Sequence, residues 1–152
     1  MKKILFLHGL ESKPGGSKVV HLSALGYDVL NPWLPANDFS VSLNVAQKEL
    51  EKQPDIIVGS SRGGALALAL EAHNIPLVLI APAWKRFGVA TNAHVNTIIL
   101  HSEYDDIVPF VDSQELFRNN TGLEVIACGE GHRMNDTDAL HHLTGAIKRL
   151  IG

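Results

Sequence analysis

A short pattern of glycines around a serine, Gly-Ser-Ser-Arg-Gly at residues 59–63, is the strongest chemical signal in the sequence. It follows an apolar Ile-Ile-Val run and precedes a segment rich in Ala and Leu, so Ser61 is predicted to lie in a tight strand-to-helix turn. Such a turn projects the hydroxyl and leaves no room for side chains at Gly59 and Gly63. The helix N-terminus behind Ser61 favours an oxyanion there. The pattern predicts a nucleophilic serine; the alternative is a strand-to-helix loop without chemistry.

Further candidate site residues follow three other predicted strands. His8 and Leu10 come after the first strand, where a second oxyanion donor is expected, so the N–H groups of Leu10 and Arg62 are the candidate pair. Asp105 lies in an acidic turn after the fifth strand, and His132 lies in a glycine-flanked loop after the sixth. Each has a plainer alternative: a loop hydrogen bond for His8, a helix cap for the aspartate, and no function for the isolated histidine.

Short apolar runs alternate with segments of helical periodicity, which is typical of a parallel sheet with crossover helices. The apolar runs show little alternation, so the sheet is expected to be covered on both faces. The predicted fold class is α/β: a three-layer α/β/α sandwich with a mostly parallel six-stranded sheet. The predicted strands are Lys3–Leu7, Tyr27–Leu30, Asp55–Gly59, Leu77–Ile80, Thr97–Leu100 and Leu123–Ala127. The predicted helices are Gly16–Ala24, Ser42–Lys52, Arg62–His73, Pro109–Asn119 and Thr137–Ile151.

The irregular stretches Pro32–Phe39 and Pro82–Asn96 are predicted to be surface loops. Trp33 and Trp84, one in each loop, either line an acyl pocket or pack beneath their loops. The last helix is expected to bury Leu140, Leu143, Ile147 and Leu150 on one face, with Asn135 or Asp136 as its N-cap.

Ser61, Asp105 and His132 each follow a strand of one predicted parallel sheet, and side chains at the carboxyl ends of such strands converge. Their order along the chain is the one associated with α/β-hydrolases. On these motifs the sequence resembles the α/β-hydrolase superfamily, in particular its small capless bacterial esterases, over essentially the whole chain. The resemblance implies a minimal α/β-hydrolase fold that keeps strands 3–8 of the superfamily and has no cap domain.

The resemblance also implies roles for individual residues. Asp105 is preferred to Asp106 because the acid of the family lies four residues before a proline, here Pro109. The implied reaction is hydrolysis of small carboxylic esters, through an acyl-enzyme, at an open site that favours short acyl chains. The implied site consists of the nucleophile Ser61, the base His132, the acid Asp105, and the oxyanion donors Leu10 and Arg62.

Composition sets the remaining expectations. The 152 residues are 45% hydrophobic and 19% charged, which predicts one globular domain over residues 1–152. The formal charge of −3, without a basic stripe, argues against a nucleic-acid partner. A lone cysteine, Cys128, predicts a small packed residue and no intramolecular disulfide. The lone cysteine fits a reducing compartment, so the protein is expected to be cytoplasmic. With no apolar run near 18 residues, no membrane span is expected.

No cofactor and no metal are expected. His141 and His142 are adjacent on a helix, and the acidic turn does not match a common metal-ligand spacing with a histidine. Other readings of the fold remain open at this point: a thioesterase, a lipase or lysophospholipase-like hydrolase, or a non-catalytic binding protein. A flavodoxin-like ligand-binding domain would need a phosphate-binding loop after the first strand, and residues 8–17 have no clear match to one.

Overall fold

The computed structural model describes residues 1–10, 12–72, 74–89 and 96–152. Within these ranges, the strands form one six-stranded sheet, and every neighbouring pair is parallel. The strands are β1 (Lys3–Leu7), β2 (Asp28–Leu30), β3 (Ile56–Ser60), β4 (Leu77–Ile80), β5 (Thr97–His101) and β6 (Leu123–Ala127), in the spatial order β2-β1-β3-β4-β5-β6. The helices are α1 (Ser17–Ala24), α2 (Phe39–Glu49) followed by a 3-10 turn (Leu50–Lys52), α3 (Arg62–Ala69), α4 (Phe110–Asn119) and α5 (Thr137–Ile151).

Both faces of the sheet are buried because helices cover both. In β1, Leu5 and Leu7 pack in one core with residues of α2, α3 and α4, whereas Ile4 and Phe6 pack in a second core with residues of α1 and α5. Successive side chains of a strand point to opposite faces, which is why the strand runs are apolar without alternation. The predicted α/β/α sandwich is therefore confirmed, with a sheet that is wholly rather than mostly parallel, and the described residues include no cap.

Helix boundaries differ from the predicted ones where local hydrogen bonds or dihedral angles decide them. Helix α2 begins at Phe39, three residues early, because the Asp38 carboxylate accepts a 3.1 Å hydrogen bond from the Val41 N–H and caps the helix. Helix α3 ends at Ala69 because Leu70 is extended, at φ −68° and ψ 144°. The predicted end of α3, at position 73, lies outside the described residues.

The two predicted surface loops are partly buried. Leu34 lies in the core between the sheet and α2. Trp84 is 4% exposed, and its indole Nε1–H donates to the Asp112 carbonyl oxygen at 3.1 Å. Trp33 is exposed. Trp84 therefore packs beneath its loop, which was one of the two predicted alternatives. Neither tryptophan lines the cleft described below. Residues 90–95 of the second loop lie outside the described ranges.

Helix α5 is capped by Asp136, whose carboxylate accepts from the Ala139 N–H at 3.1 Å. Its buried face consists of Leu143 and Ile147 together with two alanines, Ala139 and Ala146, while the predicted Leu140 and Leu150 are only half-buried. The alanines let α5 lie close to the sheet. No helix in the described part of the chain is long and apolar enough to span a bilayer.

Candidate active site

Ser61 lies in the turn between β3 and α3, with φ 57° and ψ −113°. This conformation is sparsely populated for a residue with a side chain, and the surrounding structure must enforce it. A Cβ atom at position 59 would overlap the Gly63 carbonyl oxygen, and one at position 63 would overlap the carbonyl oxygen of Leu7. The two glycines therefore allow β1, β3 and α3 to approach closely enough to form the turn, as the sequence pattern predicted.

The side chains of Ser61, Asp105 and His132 are brought together at the carboxyl ends of β3, β5 and β6. Ser61 Oγ is 3.1 Å from His132 Nε2, and His132 Nδ1 is 2.8 Å from Asp105 Oδ2. With Asp105 ionised, Nδ1–H donates to the carboxylate and Nε2 accepts from the Ser61 hydroxyl. The arrangement can therefore move a proton from the serine to the imidazole and hold the resulting positive charge next to a carboxylate.

Asp105 accepts hydrogen bonds on both carboxylate oxygens. Its Oδ1 accepts from the backbone N–H groups of Ile107 and Val108, each at 2.8 Å. Burial alone would raise the pKa of Asp105, but the hydrogen bonds from His132 and these two N–H groups outweigh it and hold the pKa below its ordinary value. Asp106, by contrast, is exposed and makes none of these bonds with the imidazole.

A second histidine, His101, lies buried behind Asp105, and the sequence analysis assigned it no role. Its Nε2 is 3.1 Å from Asp105 Oδ2 and 3.0 Å from the Val108 carbonyl oxygen. Because that carbonyl can only accept, Nε2 carries the proton, and Nδ1 accepts from the Ser113 hydroxyl at 2.6 Å. Burial lowers the pKa of His101, which favours the neutral ring. The available signal was a histidine at the last position of a buried strand, four residues before the acid.

The loop that carries His132 is attached to the first turn of α5 by side-chain carboxylates. Asp138 Oδ2 accepts from the Gly129 N–H at 2.9 Å, and Asp136 Oδ1 accepts from the Glu130 N–H at 3.1 Å. Asp136 thus both caps α5 and fixes the loop. Two further hydrogen bonds hold this loop, from the Ser102 hydroxyl to the Gly129 carbonyl oxygen at 3.0 Å and from Lys18 Nζ to the Arg133 carbonyl oxygen at 2.7 Å. Together these contacts position the imidazole.

The two candidate oxyanion donors lie on either side of the serine. Arg62 is the first residue of α3, so its N–H belongs to the helix turn whose N–H groups have no intrahelical acceptor. Leu10, in the loop after β1, lines the same small depression as Ser61 and Arg62. His8 supports that loop: its Nε2 accepts from the Leu34 N–H at 3.0 Å, so Nδ1–H donates to the Gly9 carbonyl at 2.9 Å. The hydrogen-bonding reading of His8 therefore holds.

An open cleft of about 810 Å³ lies in front of Ser61 and His132. Its wall includes the loop after β1, the first turn of α1 and residues beside His132. Cys128 does not line the cleft; it is 7% exposed, and burial, with smaller contributions from Asp138 and Asp136, raises the pKa of its thiol to about 11. A thiol with this pKa is a poor nucleophile at neutral pH, as expected for a packed residue.

Similarity to solved structures supports the fold. No family model matches the sequence, and no curated protein matches it. Alpha/beta hydrolase domain-containing protein 10 from mouse is similar in structure, with a TM-score of 0.80 and 19% identity over 98% of this chain and 89% of the other. Est1E from Butyrivibrio proteoclasticus has a TM-score of 0.76 and 16% identity, over 97% and 86% of the two chains. The esterase domain of a Rhodothermus marinus protein has a TM-score of 0.71 and 20% identity, over 99% and 88%. The chain therefore has the α/β-hydrolase fold.

Proposed function

We propose that this protein is a serine hydrolase that cleaves small carboxylic esters through an acyl-enzyme on Ser61. The observation that carries the proposal is the continuous hydrogen-bonded line from Ser61 Oγ to His132 Nε2, at 3.1 Å, and from His132 Nδ1 to Asp105 Oδ2, at 2.8 Å. Ser61 and His132 both line the cleft. The ester preference is supported by the structural neighbour from Rhodothermus marinus, which is named as an esterase domain. We take residues 1–152 to act as one domain.

In the proposed mechanism, His132 Nε2 accepts the Ser61 proton while Oγ attacks the ester carbonyl carbon. Asp105 holds the imidazole tautomer and stabilises the imidazolium that forms. The carbonyl oxygen becomes an oxyanion, which the backbone N–H groups of Leu10 and Arg62 stabilise. When the tetrahedral intermediate collapses, the C–O bond to the alcohol breaks, and the alcohol leaves with the proton from His132. Water then attacks the acyl carbonyl carbon and gives a proton to the same imidazole. The C–O bond to Ser61 breaks, His132 returns the proton to Oγ, and the carboxylic acid leaves.

A fluorophosphonate probe tests the proposal directly, because the Ser61 oxygen would attack phosphorus and remain covalently bound. The wild-type protein is expected to be labelled, and Ser61→Ala is expected not to be. A folded wild-type protein that resists labelling, or a Ser61→Ala protein that is labelled equally well, would disprove the assignment. Circular dichroism of both proteins shows whether they are folded.

Activity on neutral esters is expected to peak at short acyl chains. Much of the cleft wall is polar, with Ser12, Ser17 and Asn135 among the lining residues, so it offers little apolar surface to a long chain. Each added methylene gains about 0.8 kcal/mol only when it is buried. The measurement is kcat/KM for p-nitrophenyl esters from acetate to palmitate, below the micelle threshold. A continuous rise through the long chains would indicate a deep apolar channel and a lipase-like or long-chain thioesterase function.

Replacing His101 with leucine is expected to lower kcat by about ten- to a hundredfold, which corresponds to one hydrogen bond to a charged group. KM should change little, because His101 is buried and does not line the cleft. His101→Gln, whose amide N–H can reach the same carboxylate, should recover part of the loss. Steady-state ester hydrolysis and thermal unfolding of the three proteins provide the measurements. An unchanged kcat in a folded His101→Leu protein would show that Asp105 needs no support from this side.

A further inference from the structure

The cleft wall is positively charged, although the chain as a whole has a negative net charge. Whereas the whole sequence has a formal charge of −3, the described residues that line the cleft include four cations and one carboxylate, Asp106. None of the four takes part in an ion pair within the described ranges, where the paired lysines and arginine are Lys52, Lys85 and Arg149. We call these four cations, Lys13, Lys18, Arg86 and Arg133, the basic wall.

Lys18 is the member of the basic wall whose ammonium group is held by hydrogen bonds to two other residues. It is 8% exposed, and Nζ donates to the Arg133 carbonyl oxygen at 2.7 Å and to Asn135 Oδ1 at 2.8 Å. Burial lowers the pKa of Lys18 to about 8, against the opposing effect of Asp136, so the amine is still mostly protonated at neutral pH. Both acceptors are neutral, and an ammonium group has three donors. No hydrogen-bond partner of Lys18 is therefore a carboxylate, and the charge of Asp136 acts on the ammonium without forming an ion pair with it.

A further cation belongs to the residue that follows the nucleophile. The Arg62 guanidinium packs beside the stacked rings of Phe39 and Phe87, with Cζ 5.7 Å from each centroid, and the residue is 1% exposed. Its Nη2 donates to two neutral oxygens, the Pro35 carbonyl and the Ser42 hydroxyl, and among the described residues no carboxylate forms an ion pair with it. Because the guanidinium stays protonated, its field adds to that of the basic wall at Ser61.

We propose that the substrate of this site is an ester that carries an anionic oxygen group, a carboxylate or a phosphate, and that the basic wall binds this group. The inference rests on the proposed ester hydrolysis. The first turn of α1 contributes in the same direction, because Gly16 to Val19 line the cleft at the positive end of the helix, and no side chain caps that end. The basic wall holds the anionic group, and the ester carbonyl lies at Ser61.

Matched pairs of esters test the inference. The mono-p-nitrophenyl ester of hexanedioic acid places a carboxylate at the end of the acyl chain, and p-nitrophenyl hexanoate is its neutral counterpart of equal length. The pair 4-acetoxybenzoate and phenyl acetate places the charge on the leaving-group side. In at least one pair, the anionic ester is expected to have a kcat/KM about tenfold higher at low ionic strength, which is the order expected of a charge contact in a solvated cleft. This advantage should shrink in 0.5 M NaCl, where the Debye length is only about 4 Å.

Charge-reversal variants connect the preference to the basic wall. Lys13→Glu and Arg133→Glu should each lower the ratio of kcat/KM for the anionic ester to that for the neutral ester, by about fivefold or more. Lys148→Glu is the matched control with the same change in net charge. Because α5 begins beside the His132 loop and Lys148 lies in its last turn, this residue is at the far end of the helix and outside the cleft. Its substitution should leave the ratio unchanged.

The outcomes separate this inference from the function on which it rests. If Ser61-dependent hydrolysis of the neutral esters occurs but neither anionic ester is preferred at low salt, the inference is wrong and the esterase assignment stands. If no ester is hydrolysed and Ser61 is not labelled, the proposed function itself is wrong. Binding of each intact ester to the Ser61→Ala protein, measured by calorimetry, then gives an independent readout. Equal affinity for the charged and neutral esters there would likewise overturn the inference.

Discussion

Replacing Ser61 with alanine is expected to lower kcat for ester hydrolysis by about 10⁶-fold, the order measured for the nucleophile of another serine hydrolase. Alanine removes the only oxygen that His132 Nε2 can deprotonate at the centre of the turn, where the hydroxyl lies 3.1 Å from the imidazole. KM should change little because the wall of the cleft remains intact. Initial rates on p-nitrophenyl acetate at substrate concentrations well above KM measure the loss.

Ser60 provides the matched control, because it is the neighbouring residue and bears the same hydroxyl. It is the last residue of β3 and pairs in register with Ile80 of β4, so its backbone is fixed by the sheet. The strained φ of 57° belongs to Ser61 alone of the two. Ser60→Ala is expected to keep substantial turnover and full fluorophosphonate labelling. The reverse result, with Ser60 essential and Ser61 dispensable, would show that the turn has been misassigned.

Replacing Asp105 with asparagine is expected to lower kcat by about 10⁴-fold, as in other hydrolases with this triad. The local hydrogen bonds explain why the loss should be large. The N–H groups of Ile107 and Val108 both point at Oδ1, so the amide oxygen of the asparagine must occupy that position. The amide NH₂ then faces His132 Nδ1, which must accept instead of donate. The imidazole is left with its proton on Nε2, where it cannot take the proton of Ser61.

Asp106→Asn is the control for the acid, since it makes the same chemical change at the adjacent position. Asp106 is exposed, and the expected loss in kcat on neutral esters is less than tenfold. Rates of both variants on the same neutral ester, with unfolding temperatures to show that each is folded, provide the comparison. Similar losses for the two variants would contradict the assignment of Asp105 as the acid.

The parts of the structure that the sequence predicted well are those governed by local rules. Continuous apolar runs indicated strands buried on both faces, and β1, β4 and β6 have the predicted bounds. The Gly59–Gly63 pattern predicted the turn because its requirement is steric and confined to adjacent residues. The spacing from Asp105 to Pro109 distinguished two neighbouring carboxylates, of which only Asp105 contacts the imidazole.

The parts that could not be predicted depend on contacts between distant segments. The hydrogen bond from Lys18 to the Arg133 carbonyl joins α1 to the loop before α5, and no local pattern indicates it. The orientation of His101 towards Asp105 depends on Ser113 in α4, which holds Nδ1, and on the Val108 carbonyl, which fixes the tautomer. The packing of the Arg62 guanidinium beside two stacked aromatic rings also arises only when α2 and the loop after β4 come together.

The attachment of the His132 loop to α5 gives the site two unequal levels of local stability. Ser61 follows a central strand, and the glycines beside it let β1, β3 and α3 approach closely. The loop that carries the imidazole is held by side-chain hydrogen bonds instead. The carboxylates of Asp136 and Asp138 accept from its backbone, and Ser102 and Lys18 donate to it. Such contacts open with a lower free energy than a sheet does. Their loss would separate the imidazole from a nucleophile that stays in place. Heating would then abolish the hydrolytic activity reversibly through local unfolding of the His132 loop, at a temperature below that at which the sheet unfolds.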